Sequence, residues 1–475
     1  MTAPCVSSDA ISHALALGHH ELALEWADQR SCLGWRHILY FQSSFSQVAA
    51  VDPELAEKLT ALASELFDSP PQPSVVDSST EAKLNVRHAT CAAYWKGAVS
   101  KARKLPGLGR FLAPTTFTEI QSAVDGLGGP VVYFNLNRFS CDALCVIPKA
   151  DEVVHIPLPC LSIEVLEANS PRSAPIRRPY VGFPQVLEHL WDWVVKPVLD
   201  GLAITSNSAE KLPRIWWCPS GLLEMFPLHA AGLYQDGNGD NIMNYVVSSY
   251  IPSSDLISHV TRDQKTPKPK PRFLTVANPT GCGLPGTDVE LETIRKHLTN
   301  AGPITELTRA SATPDAVKQE LQTATWAHFA CHGVQVEVED INGPGPTSCL
   351  FLANYTRLTL LEISKLKLPQ AQLAFLSACD TAQERPACTG ESVHIAAGML
   401  VAGFRSVIGT MWKISDEYAP ELADLFYQKM FEGVHAHGQV PDYRRSAYAL
   451  HDAVKALRQR GVDFKVWVPF LHYGA

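Results

Sequence analysis

The chain has 475 residues, about three times the usual ~150 of a domain, so two or three packing units with a sizeable core are expected. Apolar residues at 46% and charged residues at 19% describe a globular protein, not a disordered or fibrous one. The formal charge of −8 is spread without long basic blocks, which excludes a broad cationic surface and predicts no nucleic-acid partner.

Met1 to Ser8 has neither a basic n-region nor an apolar h-region, and no run of about eighteen apolar residues occurs, so no membrane association and a cytoplasmic location are expected. Twelve cysteines at irregular spacings, among them Cys145, Cys218, Cys331 and Cys349 in apolar stretches, read as free thiols in a reducing compartment.

Residues 1–110 carry helical periodicity and almost no strand signal. Leu15, Leu17, Leu22, Leu24 and Trp26 are followed by Trp35, Ile38, Leu39 and Phe41, then by Leu55, Leu59, Leu62 and Leu66. A polar stretch from Ser69 to Thr80 precedes a further helix near Glu81 to Arg103. Such helical pairs fit a worn repeat remnant, although no 34-residue repeat is evident.

Leu105-Pro106-Gly107 ends the helical region, and residues 111–271 form a second unit. Val131 to Leu136, Ala143 to Ile147, Val153 to Pro157 and Arg214 to Cys218 read as strands, and Phe183 to Leu199 as an amphipathic helix. The basic, proline-rich Gln264 to Arg272 is an extended linker, which places the next boundary at 271/272.

In residues 272–475 strand and helix alternate. Strands are predicted at Phe273 to Ala277, Trp326 to Cys331, Leu373 to Ser377 and Ser406 to Thr410. Helices are predicted at Asp288 to Leu298, Ala312 to Gln322, Ser392 to Ala402 and Ala419 to Phe431. The alternation predicts an α/β fold: a mostly parallel sheet with helices on both faces and reactive groups at the carboxyl ends of strands.

Two of these strands end abruptly in reactive residues. Thr325-Trp-Ala-His-Phe-Ala-Cys-His-Gly333 delivers His332, and Leu373-Ala-Phe-Leu-Ser-Ala-Cys-Asp-Thr381 delivers Cys379. A thiol of ordinary pKa needs an imidazole neighbour to supply thiolate, and a leaving amine needs a proton donor; a histidine serves both needs. Gly333, lacking Cβ, lets a backbone N–H approach a bound carbonyl. Histidine comes first and cysteine 47 residues later, close to the roughly 50-residue separation in caspases, but Ser-Ala-Cys-Asp-Thr is not the caspase signature.

An ordered set of segments resembles the CHAT family of caspase-like cysteine peptidases, often joined to tetratricopeptide repeats and related to separases. The set runs through Pro219-Ser-Gly-Leu-Leu, Phe226-Pro-Leu-His-Ala-Ala, Asn278-Pro279 and Leu284-Pro-Gly-Thr-Asp-Val-Glu. It continues through His328-Phe-Ala-Cys-His-Gly, Leu376-Ser-Ala-Cys-Asp-Thr, Ala402-Gly-Phe-Arg-Ser-Val-Ile-Gly-Thr-Met-Trp and Trp467-Val-Pro-Phe-Leu-His-Tyr-Gly. Upstream, Gln29-Arg30-Ser31 with Trp35, Asp52-Pro53-Glu54-Leu55-Ala56, Gly129-Pro130-Val131 and Cys141-Asp142-Ala143-Leu144 resemble the region that precedes CHAT in fungal members, so the domain is expected over about 111–475.

The resemblance implies a proteolytic dyad of His332 and Cys379, with the Gly333 and Cys379 backbone N–H groups as oxyanion donors. It also implies a degenerate caspase-like subdomain at 111–271 that scaffolds a catalytic one at 272–475. The expected activity is a cysteine endopeptidase acting on protein substrates through a thioester, with no cofactor and with room for a regulatory protein partner. The rival expectation is a catalytically silent caspase-like scaffold for protein–protein interaction.

Other residues carry subsidiary expectations. Asp380 could bring negative charge to a specificity pocket, and Trp412 and Asp416 follow the strand Ser406 to Thr410 at the rim where a substrate side chain would be received, with packing and helix capping as their structural readings. His328 and Cys331 beside His332 invite a zinc reading, but strand geometry sends neighbours to opposite faces and no Cys-x-x-Cys is present, so both are expected in the core and no metal is expected. The acidic loop Gln335 to Ser348 between the two reactive strands is expected to move and to hold the enzyme latent.

Overall fold

A computed structural model describes the chain except for residues 1–2, 32–44, 69–77, 170–181, 207–210, 235–238, 262–269, 282–283, 285, 300, 335–347, 378–394, 413, 415–416 and 435–440. The chain divides into two compact units: Met1–Cys32, Thr115–Gln335 and Ser348–Ala475 form one, and Leu33–Pro114 with Val336–Thr347 the other.

The smaller unit is helical. Helices Ser46–Ala49, Pro53–Asp68 and Ser78–Ala102 carry its described residues, and Val48, Leu55, Leu59, Ala63, Ala98 and Ala102 form their common core. The leucines at 55, 59 and 62 recur at helical spacing, so one face of the second helix is apolar.

The larger unit is built on strands β1 (Val131–Leu136), β2 (Cys141–Val146), β3 (Val153–Pro157), β4 (Arg214–Cys218), β5 (Val247–Tyr250), β6 (Phe273–Pro279), β7 (Ile304–Arg309) and β8 (Trp326–Ala330). The short strands β9 (His332–Val334), β10 (Cys349–Phe351) and β11 (Arg357–Thr359) follow, then β12 (Leu373–Leu376), β13 (Ser406–Thr410) and β14 (Phe470–Gly474). Eleven of them make one sheet in the order β3-β2-β1-β4-β5-β14-β13-β12-β8-β6-β7, while β11-β10-β9 form a separate three-stranded sheet. β6, β8, β12 and β13 are buried along their whole length, as continuous apolar runs in a parallel sheet covered on both faces should be.

Helices on the two faces can be told apart by strand alternation. Ser406 of β13 bonds Ser446 of helix Ser446–Gln459 at 2.6 Å, whereas its neighbour Arg405 donates to the carbonyls of His259 and Val260 at the end of helix Ser254–Thr261. A guanidinium there satisfies carbonyls that the helix itself leaves open and complements its negative end. Helix Phe117–Leu127 begins in a reciprocal capping box between Thr116 and Glu119 and stops at Gly128, whose φ of 81° is left-handed.

Most predicted elements of the sheet unit are found within a few residues. The predicted helix Phe183 to Leu199 runs from Phe183 to Gly201 with a π-turn at Trp191–Val195. Pro197 explains the irregularity, because it has no N–H to donate to the preceding turn.

The domain expectation of a helical region over 1–110 differs from the observed grouping, in which helices Ala3–Ala16 and His20–Ser31 belong to the sheet unit. Polar anchoring is the cause. Buried Asp28 accepts from Ser254 N at 2.8 Å and Ser254 Oγ at 2.7 Å, capping helix Ser254–Thr261. Buried Arg30 donates to Phe134 O at 3.0 Å and Ser220 Oγ at 2.9 Å, and also bonds Ser8 and Asn135. A hydrophobic-periodicity reading has no way to see a helix tied inward by an aspartate and an arginine.

β14 also escaped the sequence reading, and it organises the sheet. It pairs parallel with β5 and antiparallel with β13, so the last strand of the chain joins the strands before and after the linker into one sheet. β1, β4 and β5 therefore run opposite to β6, β8, β12 and β13. Carboxyl ends of the second group define one edge of the sheet, and the site lies there.

Candidate active site

β8 and β12 are adjacent and parallel, with Leu373 opposite Trp326 and Leu376 opposite Phe329. β8 and β12 end in step at the same edge of the sheet, and in the sequence His332 and Cys379 each come three residues after that last matched pair. His332 opens β9, where it faces Phe351 of β10, and is half-buried; Gly333, facing Leu350, is buried. Cys379 and Asp380 lie outside the described residues, and so do Asp416 and the loop segment 335–347.

A small pocket opens at this edge. Cys331, His332 and Ser377 line it from the strand ends. Opposite them stand Leu284, Gly286, Thr287 and Glu290, with Ile414 and Ala419 completing the wall. Gly286 and Ala419 are the first residues of helices Gly286–Leu298 and Ala419–Phe431, so the pocket sits where the two covering helices begin and the sheet loses its cover.

Cys331, expected in the core, is buried, and it borders the same pocket as His332. The helix start Gly286–Glu290 belongs to the site although only its resemblance, and no role, was legible in Leu284-Pro-Gly-Thr-Asp-Val-Glu. Trp412 is placed away from the pocket lining: its ring packs edge-on against Phe183 at 5.7 Å and its Nε1 donates to Lys465 O at 3.3 Å.

His328 is a core residue, and it props the pocket's inner wall. Its Nδ1 is 3.1 Å from the Tyr427 hydroxyl and its Nε2 3.0 Å from Glu290 Oε1, and its ring stacks on Phe375 at 4.8 Å. Burial, and then the Glu290 charge, push the Tyr427 hydroxyl well up, so it stays protonated and can donate to Nδ1. The ring is thereby fixed with its proton on Nε2, donating to Glu290. Among the described residues no group of three or more His, Cys, Asp or Glu could hold a metal ion.

A mixed, mostly parallel sheet covered by helices defines an α/β protein. The chain belongs to the CHAT domain family, whose model matches residues 184–475. Among solved structures, the Saccharomyces cerevisiae separase–securin complex is similar at 12% identity and a TM-score of 0.49, covering 88% of this chain and 35% of that one. This chain thus spans about a third of the length of that separase chain. The Arg-specific cysteine proteinase gingipain R is similar at 10% identity and a TM-score of 0.38, covering 64% and 69% of the two chains. The complex of the pro- and mature domains of Porphyromonas gingivalis RgpB matches at 10% identity and 0.37, covering 62% and 69%. Comparison with curated proteins finds no match. No helix among the described residues is long and apolar enough to cross a membrane.

Proposed function

We propose that this protein is a cysteine endopeptidase in which Cys379 is the nucleophile and His332 the acid/base. The observation that carries the reading is that β8 and β12, adjacent and parallel, end in step at Phe329 and Leu376, each three positions in sequence before His332 and Cys379, and that His332 lines a pocket at that edge. CHAT family membership supports it independently.

In this reading the Cys379 sulfur attacks the scissile carbonyl and a thioester forms as His332 protonates the departing amine; His332 then takes a proton from water, which attacks the thioester and releases the acid and the thiol. The Gly333 and Cys379 backbone N–H groups would hold the developing oxyanion. Asp380 and Asp416 remain proposals for charge at the substrate site, and a protein regulator remains a proposal for control.

The deciding experiment is covalent modification by a peptidyl acyloxymethyl ketone, located by peptide mapping. Modification at Cys379 that is lost in Cys379→Ala supports the reading. New protein N-termini present in cells with the wild-type protein and absent with Cys379→Ala would identify substrates. A folded wild-type protein that neither cleaves nor is labelled at Cys379 points instead to the silent scaffold.

A further inference from the structure

Helix Ala419–Phe431 runs along β8, and the layer between them turns from apolar to polar toward the sheet edge. Phe431 packs on Trp326 with ring centroids 5.8 Å apart, the Tyr427 hydroxyl is 3.1 Å from His328 Nδ1, and Ala419 lines the pocket with His332. Two helical turns, about 12 Å, separate Tyr427 from Ala419, and four strand residues, about 13 Å, separate His328 from His332. The pocket therefore continues the layer that holds His328.

Glu290 belongs to both ends of that layer. It lines the pocket, and its Oε1 accepts from His328 Nε2 at 3.0 Å. The side chain is 1% exposed, yet among the described residues no bond to its other carboxylate oxygen is found. A buried carboxylate with one bond is short of partners, since it has several acceptor sites to satisfy. The titratable groups facing it and the pocket are His328 from β8, Tyr427 from helix Ala419–Phe431, and Cys331 and His332 from the strand end. Asp288, on the same helix as Glu290, is turned to Arg309 and Asn278. Glu290 is thus the one carboxylate among the described lining residues, and no Lys or Arg joins it there.

The pocket has room for a single water, and its wall offers the polar partners a buried water needs. These are the Glu290 carboxylate, the His332 ring and Thr287 Oγ1, which donates to Leu284 O at 2.7 Å and keeps lone pairs to accept with. We propose that Glu290 is a positioning residue for His332: its carboxylate holds one water in this pocket, and that water accepts the ring N–H of His332. The proposal rests on the peptidase reading for the task His332 performs. In that task the ring becomes an imidazolium when it takes the Cys379 proton and a neutral imidazole when it gives that proton to the leaving amine; the water and Glu290 keep their own protons throughout. Their part is to present a fixed negative charge to the imidazolium, and His328 with Tyr427 sets that charge in place before the reaction begins.

The test is the NMR titration of His332 in full-length protein with ¹³C-labelled histidine and Cys379→Ala throughout, which reads the coupling whether or not the chain is a peptidase; His332→Ala assigns the signal. Glu290→Gln keeps an acceptor for His328 but removes the charge, and should lower the His332 midpoint by about one pH unit. Ala419→Val fills the space for the water and leaves Glu290 in place, and should lower the midpoint as well. Gly474→Ala, on β14, destabilises the fold away from the pocket lining and should leave the midpoint where it is. A midpoint that either of the first two variants leaves unchanged, or that Gly474→Ala lowers equally, overturns the proposal. If Glu290→Gln does not fold, Ala419→Val decides alone. With Cys379 restored, Glu290→Gln should move the alkaline limb of kcat/KM for peptide cleavage to lower pH by the same amount and leave KM unchanged; a limb that stays put in an active variant also overturns the proposal. Wild-type protein that neither cleaves nor is labelled at Cys379 refutes the peptidase reading, and the titration then decides the proposal separately.

Discussion

Leu376 of β12 stands directly opposite Phe329 of β8 in a parallel pair, and this one rung sets the frame of the candidate site. Both residues are fully buried, so neither strand can slip by a residue without turning an apolar side chain out of the core. The frame is fixed by packing, whatever the loops beyond it do.

The first prediction concerns the two cysteines near His332. Cys379→Ala should abolish peptide cleavage and labelling by a peptidyl electrophile. His332→Ala should suppress cleavage by a factor of about 10² or more but leave slow labelling that rises toward pH ~8.5, because a thiol without a base still ionises. Cys331 lines the same pocket, so Cys331→Ala is the necessary control and should keep activity while folded. Peptide mapping that finds the label on Cys331 would move the nucleophile to the other strand.

A second prediction concerns the buried wall behind the pocket. Glu290→Ala leaves the Nε2–H of His328 without its acceptor in a site where both side chains are nearly inaccessible, at 1% and 3% exposure. The loss should be about 3 kcal/mol. Glu290→Gln keeps an acceptor and should cost less, and Tyr427→Phe, which removes one donor to Nδ1, about 1 kcal/mol. Urea unfolding of the three variants checks the order, and an undiminished Glu290→Ala would show that the pair contributes nothing to the core.

How far these features were legible in the sequence depends on the kind of interaction that makes them. β8, β12 and β13 could be read because a strand buried on both faces must be apolar throughout, and their ends could be read because Cys-His-Gly and Cys-Asp-Thr interrupt that pattern. The Glu290–His328–Tyr427 wall could not, since its three members come from separate elements and each looks like an ordinary helix or strand residue alone. Nor could the place of β14, whose five residues carry no sign of which two strands they will separate. The inward side of helix His20–Ser31 was hidden for another reason: Asp28 and Arg30 are charged residues doing the work of apolar ones.

A third prediction tests β14 as the seam. Gly474 adopts φ 97°, which side-chain-bearing residues rarely take, and a Cβ there would lie 2.4 Å from Arg405 O and 2.9 Å from Leu400 Cδ2. Its carbonyl also accepts from Trp216 Nε1 at 2.7 Å, across to β4. Gly474→Ala should destabilise by about 2 kcal/mol or more, through strain and loss of that bond. Thermal melting beside Gly461→Ala, a glycine of positive φ with open space around its Cβ, separates the clash from the backbone conformation alone. Equal losses in the two variants would rule out the packing argument.

The last prediction concerns acid stability and comes from the same seam. His472 of β14 is 1% exposed, with Nδ1 at 2.9 Å from Ser249 Oγ and 3.4 Å from Arg214, and Nε2 at 2.8 Å from Ser406 Oγ and 3.1 Å from Ser446 Oγ. Arg214 can only donate, so Nδ1 is the acceptor and the ring proton sits on Nε2. Burial first, and then the Arg214 charge, push the imidazole well below its usual range. The unfolded chain takes up this proton near pH ~6.5, while the folded chain refuses it until the pH is much lower. Between those limits the unfolded state binds more protons, so the contribution of a neutral His472 is fully present above pH ~6.5 and is lost progressively as the pH falls below it. His472→Gln, which cannot titrate but keeps a polar head, should be less stable than wild type at pH 7.5 by about 1–2 kcal/mol. It should lose less stability on acidification, so the two denaturation midpoints should converge by pH 5. Parallel lines for wild type and variant from pH 7.5 to 5 would mean that acid sensitivity arises at other groups.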